Sequence, residues 1–255
     1  MRLSISFLTV LLHAALLAGC GLNQDKADPT KDWSPQRIYS EAKSEIASGN
    51  NDKGIKLLET LQARYPYGRF AHQAQLDEAY AYYKSDEVPQ ALAAADRFIK
   101  LHPNHPNVDY AFYLKGLCNF RDDLGPLGLF STDELAERDP KAAKDSFDTF
   151  RELVTRFPES RYAPDSIKRM KYLVNALATH EVKVANYYFR RGAYVAAANR
   201  AQEALNTYPQ APALEQALSI LVKSYNAMGL KDLAADATKV LQKNFPQSKF
   251  LNEKS

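Results

Sequence analysis

An aromatic residue or histidine followed by proline recurs in one phase at Tyr65-Pro66, His102-Pro103, Phe157-Pro158, Tyr208-Pro209 and Phe245-Pro246, with one further pair, His105-Pro106, outside that phase. No other feature of the chain constrains its fold as strongly. The prolines stand 37, 55, 51 and 37 residues apart. Twelve residues before each comes a small residue: Gly54, Ala91, Ser146, Ala197 and Ala234. Twenty-four before stand Ala42, Ala79, Ala185 and Val222, and twenty-one before stand Tyr82, Tyr188 and Tyr225. Small residues at these steps let two antiparallel helices approach closely, and proline ends the second helix because it cannot continue the hydrogen-bond ladder. Glycine makes up only 10 of 255 residues, which leaves little for strand turns or phosphate loops. The chain is expected to be all-α.

The turn residues keep the same phase. Gly49-Asn50-Asn51-Asp52, Ser85-Asp86-Glu87, Arg191-Gly192 and Met228-Gly229 each fall between paired helices. The pattern resembles the tetratricopeptide repeat in five copies. That resemblance implies a right-handed superhelical solenoid over residues 33–255, with approximate repeats 33–67, 68–105, 106–160, 161–210 and 211–248. The two long spacings are insertions. In repeat three, 18 extra residues fall around Asp122 to Pro140, where Gly125-Pro126-Leu127-Gly128 forbids a helix; shifting the phase by 18 puts Gly116 at the small position. In repeat four, 14 extra residues lie within Tyr162 to Arg191, about four helical turns, so a lengthened first helix is expected to protrude from the solenoid.

The N-terminus reads as an address. Met1 and Arg2 precede an apolar run from Leu3 to Ala18, too short to span a bilayer comfortably and typical of a secretion signal over residues 1–19. Leu17-Ala18-Gly19-Cys20 resembles the bacterial lipobox. The resemblance implies cleavage before Cys20, a covalent diacylglycerol and N-acyl chain on that cysteine, and a mature chain of 236 residues. Gly21 occupies the place where an inner-membrane retention signal would have Asp, which implies the outer membrane. Residues 20–32 are the lipidated cysteine and a polar, flexible tether. Cys118 is left without a partner and reads as a buried thiol.

Charge and motifs exclude more than they suggest. With 33 Lys+Arg against 30 Asp+Glu, the chain is not the strongly basic kind that binds nucleic acid. Its 45% hydrophobic content and mean hydropathy of -0.43 fit a soluble globular body. His102, His105 and Asp109 match no metal-ligand spacing and read as a loop between repeats, so no metal and no other cofactor is expected. No nucleophile sits in a recognisable elbow or phosphate loop, and no catalytic residue is assigned.

Three runs carry a closer likeness: Arg64-Tyr65-Pro66-Tyr67-Gly68 leading to Tyr80-Ala81-Tyr82-Tyr83-Lys84; Arg97-Phe98-Ile99-Lys100-Leu101-His102-Pro103-Asn104-His105-Pro106-Asn107; and Asn186-Tyr187-Tyr188 with Arg190-Arg191-Gly192-Ala193-Tyr194. Together with the lipobox, the five repeats and both insertions, they resemble the BamD family of outer-membrane assembly lipoproteins, also called ComL-type competence lipoproteins. The resemblance implies a non-enzymatic subunit of the β-barrel assembly (BAM) complex, anchored in the outer membrane by its lipid and facing the periplasm. Its implied partners are the POTRA domains of BamA, the lipoproteins BamC and BamE, and the C-terminal segments of unfolded outer-membrane proteins. The chain ends at Ser255, nine residues after Pro246, so little terminal capping helix is expected. A scaffold for pilus assembly or a cell-wall or competence function is the alternative within the same architecture. An enzyme acting on peptidoglycan would need converging carboxylates in the groove.

Counting along the first helix of each repeat places Tyr39 and Lys43, then Leu76, Tyr80, Tyr83 and Lys84, then Tyr113, Leu117, Phe120 and Arg121 on the groove face. Aromatics flanked by cations suit an extended peptide with aromatic side chains and a terminal carboxylate, met by Lys84 or Arg121. Tyr65 and Gly68 would shape the wall where repeats one and two join. Any one ring could instead pack between helices. Partner docking is expected around Arg200, where Ala196-Ala197-Ala198-Asn199 lets a helix pack closely and the guanidinium can reach a carboxylate.

Overall fold

A computed structural model describes residues 28–120 and 140–251. The signal segment, Cys20, the tether as far as residue 27, Arg121 and the repeat-three insertion up to residue 139 lie outside the described residues. Ten α-helices are described: α1 Pro35–Ala47, α2 Asn51–Arg64, α3 Arg69–Lys84, α4 Val88–Leu101, α5 Val108–Phe120, α6 Pro140–Arg156, α7 Ala163–Arg190, α8 Tyr194–Thr207, α9 Leu214–Ala227 and α10 Lys231–Asn244. Among the described residues there is no strand. The fold is a solenoid of tetratricopeptide repeats. Each helix packs on its neighbours in sequence, and α1–α3, α3–α5 and α7–α9 also touch, so first helices of successive pairs lie side by side.

Local chemistry sets the helix ends. Ser34 accepts from the Arg37 N–H at 3.2 Å and Pro35 opens α1 with its φ already helical. At the other end of the pairs, Tyr65, His102, Phe157, Tyr208 and Phe245 each donate their N–H four residues back, and the proline that follows stops the ladder. The recurring small residues have a steric cause. A Cβ on Gly116 would come 2.5 Å from Phe150 Cε1, so α5 and α6 could not meet with a larger residue there. Opposite it, buried Ser146 donates to the Gly116 carbonyl at 2.9 Å. Ala42, Ala79, Ala91, Ala185 and Ala197 are fully buried at the equivalent steps.

The core is a row of local clusters. Ile38, Leu58 and Leu61 fill the first pair, Leu76 and Phe98 the seam that follows, Phe150, Leu173 and Leu177 the middle, and an alanine-rich cluster around Ala178, Ala201 and Ala217 the end. The 28-residue α7 is the lengthened helix that the spacing required, but it does not jut out as expected. Its first half packs on Phe120 and Phe150 through Leu173 and Leu177, and its second half packs on α8 and α9 through Ala178, Val182 and Ala185. The extra turns have apolar residues along their whole length, so they are absorbed by joining the two halves. Past α10 a short 3-10 turn, Lys249–Leu251, follows.

Candidate functional site

Tyrosines of α1 and α5 are tied to carboxylates on the next first helix. The Tyr39 hydroxyl of α1 donates to Asp77 Oδ2 of α3 at 2.7 Å, and Lys43 Nζ lies 3.0 Å from Asp77 Oδ1. Asp77 is only 5% exposed. The arrangement returns two pairs later: the Tyr113 hydroxyl of α5 donates to Asp165 Oδ2 of α7 at 2.7 Å, and Arg169 Nε donates to the same oxygen at 2.7 Å. The buried Asp77 carboxylate, facing a phenol and a cation, is satisfied on both sides, which makes its burial tolerable, while Asp165 is about half exposed. Burial, followed by the carboxylate contact, pushes the Tyr39 phenol up and the Tyr113 phenol up to about 12. Burial works to raise the Asp165 carboxyl too, but the hydrogen bonds from Arg169 and Tyr113 outweigh it and hold that group below the ordinary carboxylate range.

Between these two nodes lies a cavity of about 600 Å³, walled by Gln73, Leu76 and Asp77 of α3, by Pro106 to Tyr110 before and within α5, and by Glu159 to Tyr162 before α7. Its aromatic wall is Tyr110 and Tyr162, with Tyr113 stacked on Tyr162 behind that wall. Tyr113 and Tyr162 lie 4.7 Å apart at 19°, Tyr110 lies 5.3 Å from Tyr162, and the Arg161 guanidinium sits 4.8 Å over the Tyr162 ring. Ser160 donates to Asp109 Oδ2 at 2.6 Å and so fixes the turn that presents Arg161 and Tyr162. Such a groove can hold an extended chain by ring contacts and by hydrogen bonds to carboxylates and phenols.

Several residues expected at the groove are placed otherwise. Phe120 is 5% exposed, packed against Phe150 and Tyr172 with Arg169 4.6 Å over its ring, so it is core and offers no surface. Leu76 is buried against Phe98 and Ala111, and only its edge reaches the cavity. Tyr65 reaches back, donating to the Trp33 carbonyl at 3.1 Å, and braces repeat one internally. Gly68 caps α3 at φ +100, a conformation few other residues adopt, and its carbonyl accepts from Ala71 and His72. Tyr39, Tyr80, Tyr83 and Tyr113 are half-buried, and Lys84 is exposed in the last turn of α3. Arg121 and Cys20 are outside the described residues.

Arg200 Nη1 lies 3.1 Å from Glu181 Oε2 of α7, with about half the arginine side chain still open to solvent. Position counting missed Asp77, Asp165, Tyr110, Arg161 and Tyr162. The one available signal was a carboxylate between apolar residues, as in Ala74 to Ala79 around Asp77.

The family model described as "Outer membrane lipoprotein" (YfiO) matches residues 31–252. A protein of Neisseria meningitidis serogroup A named "Outer membrane protein assembly factor BamD" is 48% identical over 246 residues, which cover 96% of this chain and 92% of that protein. One of the same name from Vibrio cholerae serotype O1 is 38% identical, over 93% of this chain and 97% of its own. Among solved structures, a thermophilic TPR protein from Thermus thermophilus aligns over 86% of this chain and 95% of its own, at 15% identity and a TM-score of 0.37, too distant a likeness to carry an argument.

Proposed function

The chain belongs to the BamD family of outer-membrane lipoproteins, and on that premise we propose that it is a non-enzymatic scaffold that receives unfolded outer-membrane proteins and delivers them to the barrel-forming subunit of the assembly machinery. Acyl chains on Cys20 would hold it at the membrane, since each buried CH₂ contributes ~0.8 kcal/mol and a lipidated cysteine carries several chains. The tether then leaves the solenoid in the periplasm, within reach of BamA POTRA domains and of BamC and BamE.

One observation carries the client role: the cavity between α3, α5 and α7, walled by the rings of Tyr110 and Tyr162 and bordered by Tyr39, bonded to its wall residue Asp77, and by Tyr113, stacked on Tyr162 with its hydroxyl fixed by Asp165. A tyrosine with its hydroxyl satisfied presents a rigid apolar face at little entropic cost, which is what a binder of many extended aromatic segments needs. Tyr39, Tyr80, Tyr83 and Tyr113 would grip side chains, while Lys84, Arg121 or the cavity's own Arg161 would meet a terminal carboxylate. Peptide titration tests this. Burying one ring is worth ~1.5 to 3 kcal/mol, so Tyr80→Ala with Tyr83→Ala should weaken binding of a peptide ending in Phe by well over tenfold. The acid should bind better than its amide. A folded double variant that binds like the parent would return those rings to the core.

A further inference from the structure

Three imidazoles meet at the seam between the second and third helix pairs. His72 lies in the first turns of α3, His102 closes α4 and His105 sits in the α4–α5 loop. The ring centroids are 4.3 Å apart for His72 and His102, 5.9 Å for His72 and His105, and 6.4 Å for His102 and His105. His102 and His105 both rest on buried Phe98, at 5.1 and 5.2 Å. Among the described residues no group of three His, Cys, Asp or Glu is arranged to hold a metal, so the cluster is not a ligand set.

One of its hydrogen bonds requires a neutral ring, that of His105. The Asn107 N–H donates to His105 Nδ1 at 3.1 Å, and His102 Nε2 lies 2.8 Å from Gln75 Oε1. A nitrogen that accepts an N–H cannot also carry a proton, so charging His105 at Nδ1 removes one hydrogen bond from the turn that leads into α5. Nearby charges are engaged elsewhere. On α3, Arg69 lies over Phe70 and Asp77 holds Lys43; on α4, Arg97 bonds Glu78 and Lys100 is exposed; at the start of α5, Asp109 accepts from Ser160. The charges that act on His102 are those of His72 and His105, and His72 acts on His105.

We propose that His72, His102 and His105 form an acid-sensitive latch: charging the rings sets like charges against one another and frees the α4–α5 loop, which supplies Pro106 and Asn107 to the cavity wall. Burial, then the neighbouring imidazoles, hold His102 and His105 below the ordinary histidine value of 6.5. The unfolded or opened loop therefore binds more protons. The latch is fully closed above that value and weakens as pH falls through the lowered folded values. This inference concerns the loop itself and stands whatever the cavity takes up.

Hydrogen exchange on the full-length protein in detergent at pH 7.5 and 5.5, corrected for intrinsic exchange chemistry, reads it directly. The hydrogen-bonded amides of His102, His105 and Val108 should lose about tenfold in protection, while α9 and α10 keep theirs. His72→Gln, or His105→Gln, should reduce the loss to less than about threefold by removing one charge. Equal losses in parent and variants, or a loss shared by α9 and α10, would overturn the latch. Should neither variant fold, NMR titration of His102 and His105 in the parent decides: folded values at or above that of free histidine for these two would also sink it.

Discussion

The two halves of the solenoid use the same repeat to different ends. From α1 to α6 the seams contain large rings and buried polar groups: Tyr39 on Asp77, Arg97 and Gln62 on Glu78, Tyr113 on Asp165, Phe150 against Gly116. From the second half of α7 onward the core is mostly alanine, with Ala178, Ala185, Ala197, Ala201, Ala204 and Ala217 fully buried, and several large apolar side chains face outward, among them Val195, Leu230 and Leu233. Large, polar-tethered seams leave a cavity between helices, whereas the alanine seams themselves close the gap. The first half therefore leaves room between its helices, as the proposed client role requires, and the second presents a rigid outer face, as the proposed docking requires.

Truncating the largest ring at the boundary should break this contrast most strongly. Phe150 is fully buried and touches Tyr113, Phe120, Leu173 and Leu177, so it joins α5, α6 and the first half of α7. Phe150→Ala should cost about 3–5 kcal/mol, because the removed ring leaves a cavity that close-packed helices cannot collapse. Ala201→Gly in the alanine seam should cost only about 1 kcal/mol, the helix-propensity difference. Urea denaturation of both variants checks the pair; equal losses would mean that the halves are stabilised alike.

How much of this could be read from the chain follows from what packing demands locally. The proline and small-residue period was legible because each seam requires a close approach at a fixed step, and Gly116 shows the requirement at atomic scale. The Tyr39–Asp77 and Tyr113–Asp165 ties were not legible. They join residues 38 and 52 apart, and an aspartate within a helix looks the same in sequence whether it is solvated or buried. Phe120 and Leu76 were assigned to the groove because counting along a first helix cannot separate its cavity side from the side that meets the next helix. The course of α7 escaped for a related reason: four added turns with apolar residues can project or bridge, and only the positions of Phe120 and Phe150 decide.

The polar ties offer a finer test of the same contrast. Asp77→Asn keeps the shape but removes the charge that Lys43 and Tyr39 share, and it should cost about 1–3 kcal/mol, since one of the two acceptor oxygens of a buried charge-assisted network becomes a donor. In the second half, Asp236 pairs with Lys239 on the surface, and Asp236→Asn should change stability by less than about 0.5 kcal/mol. A double-mutant cycle with Lys43→Met would show whether the loss at Asp77 comes from that ion pair. If the two aspartates cost the same, the Tyr–Asp ties are not structural anchors of the cavity.

Arg200 should have the smallest effect on folding and the clearest effect on docking. Its contact with Glu181 is single and about half the guanidinium faces solvent, so the pair contributes at most ~1 kcal/mol to stability. Arg200→Glu should leave helicity intact while weakening copurification with BamA from mild detergent, because a carboxylate on the partner loses its bidentate donor and meets a like charge instead. Glu181→Gln separates two meanings of that result. Should Arg200 meet the partner itself, loosening its internal contact leaves binding unchanged or stronger. Should Arg200 merely hold α8 against α7, Glu181→Gln weakens binding as Arg200→Glu does. Unchanged copurification of Arg200→Glu would remove this arginine from the docking face and turn attention to Val195, Leu230 and Leu233, whose exposed side chains would then be the main features of the alanine-packed half open to a partner.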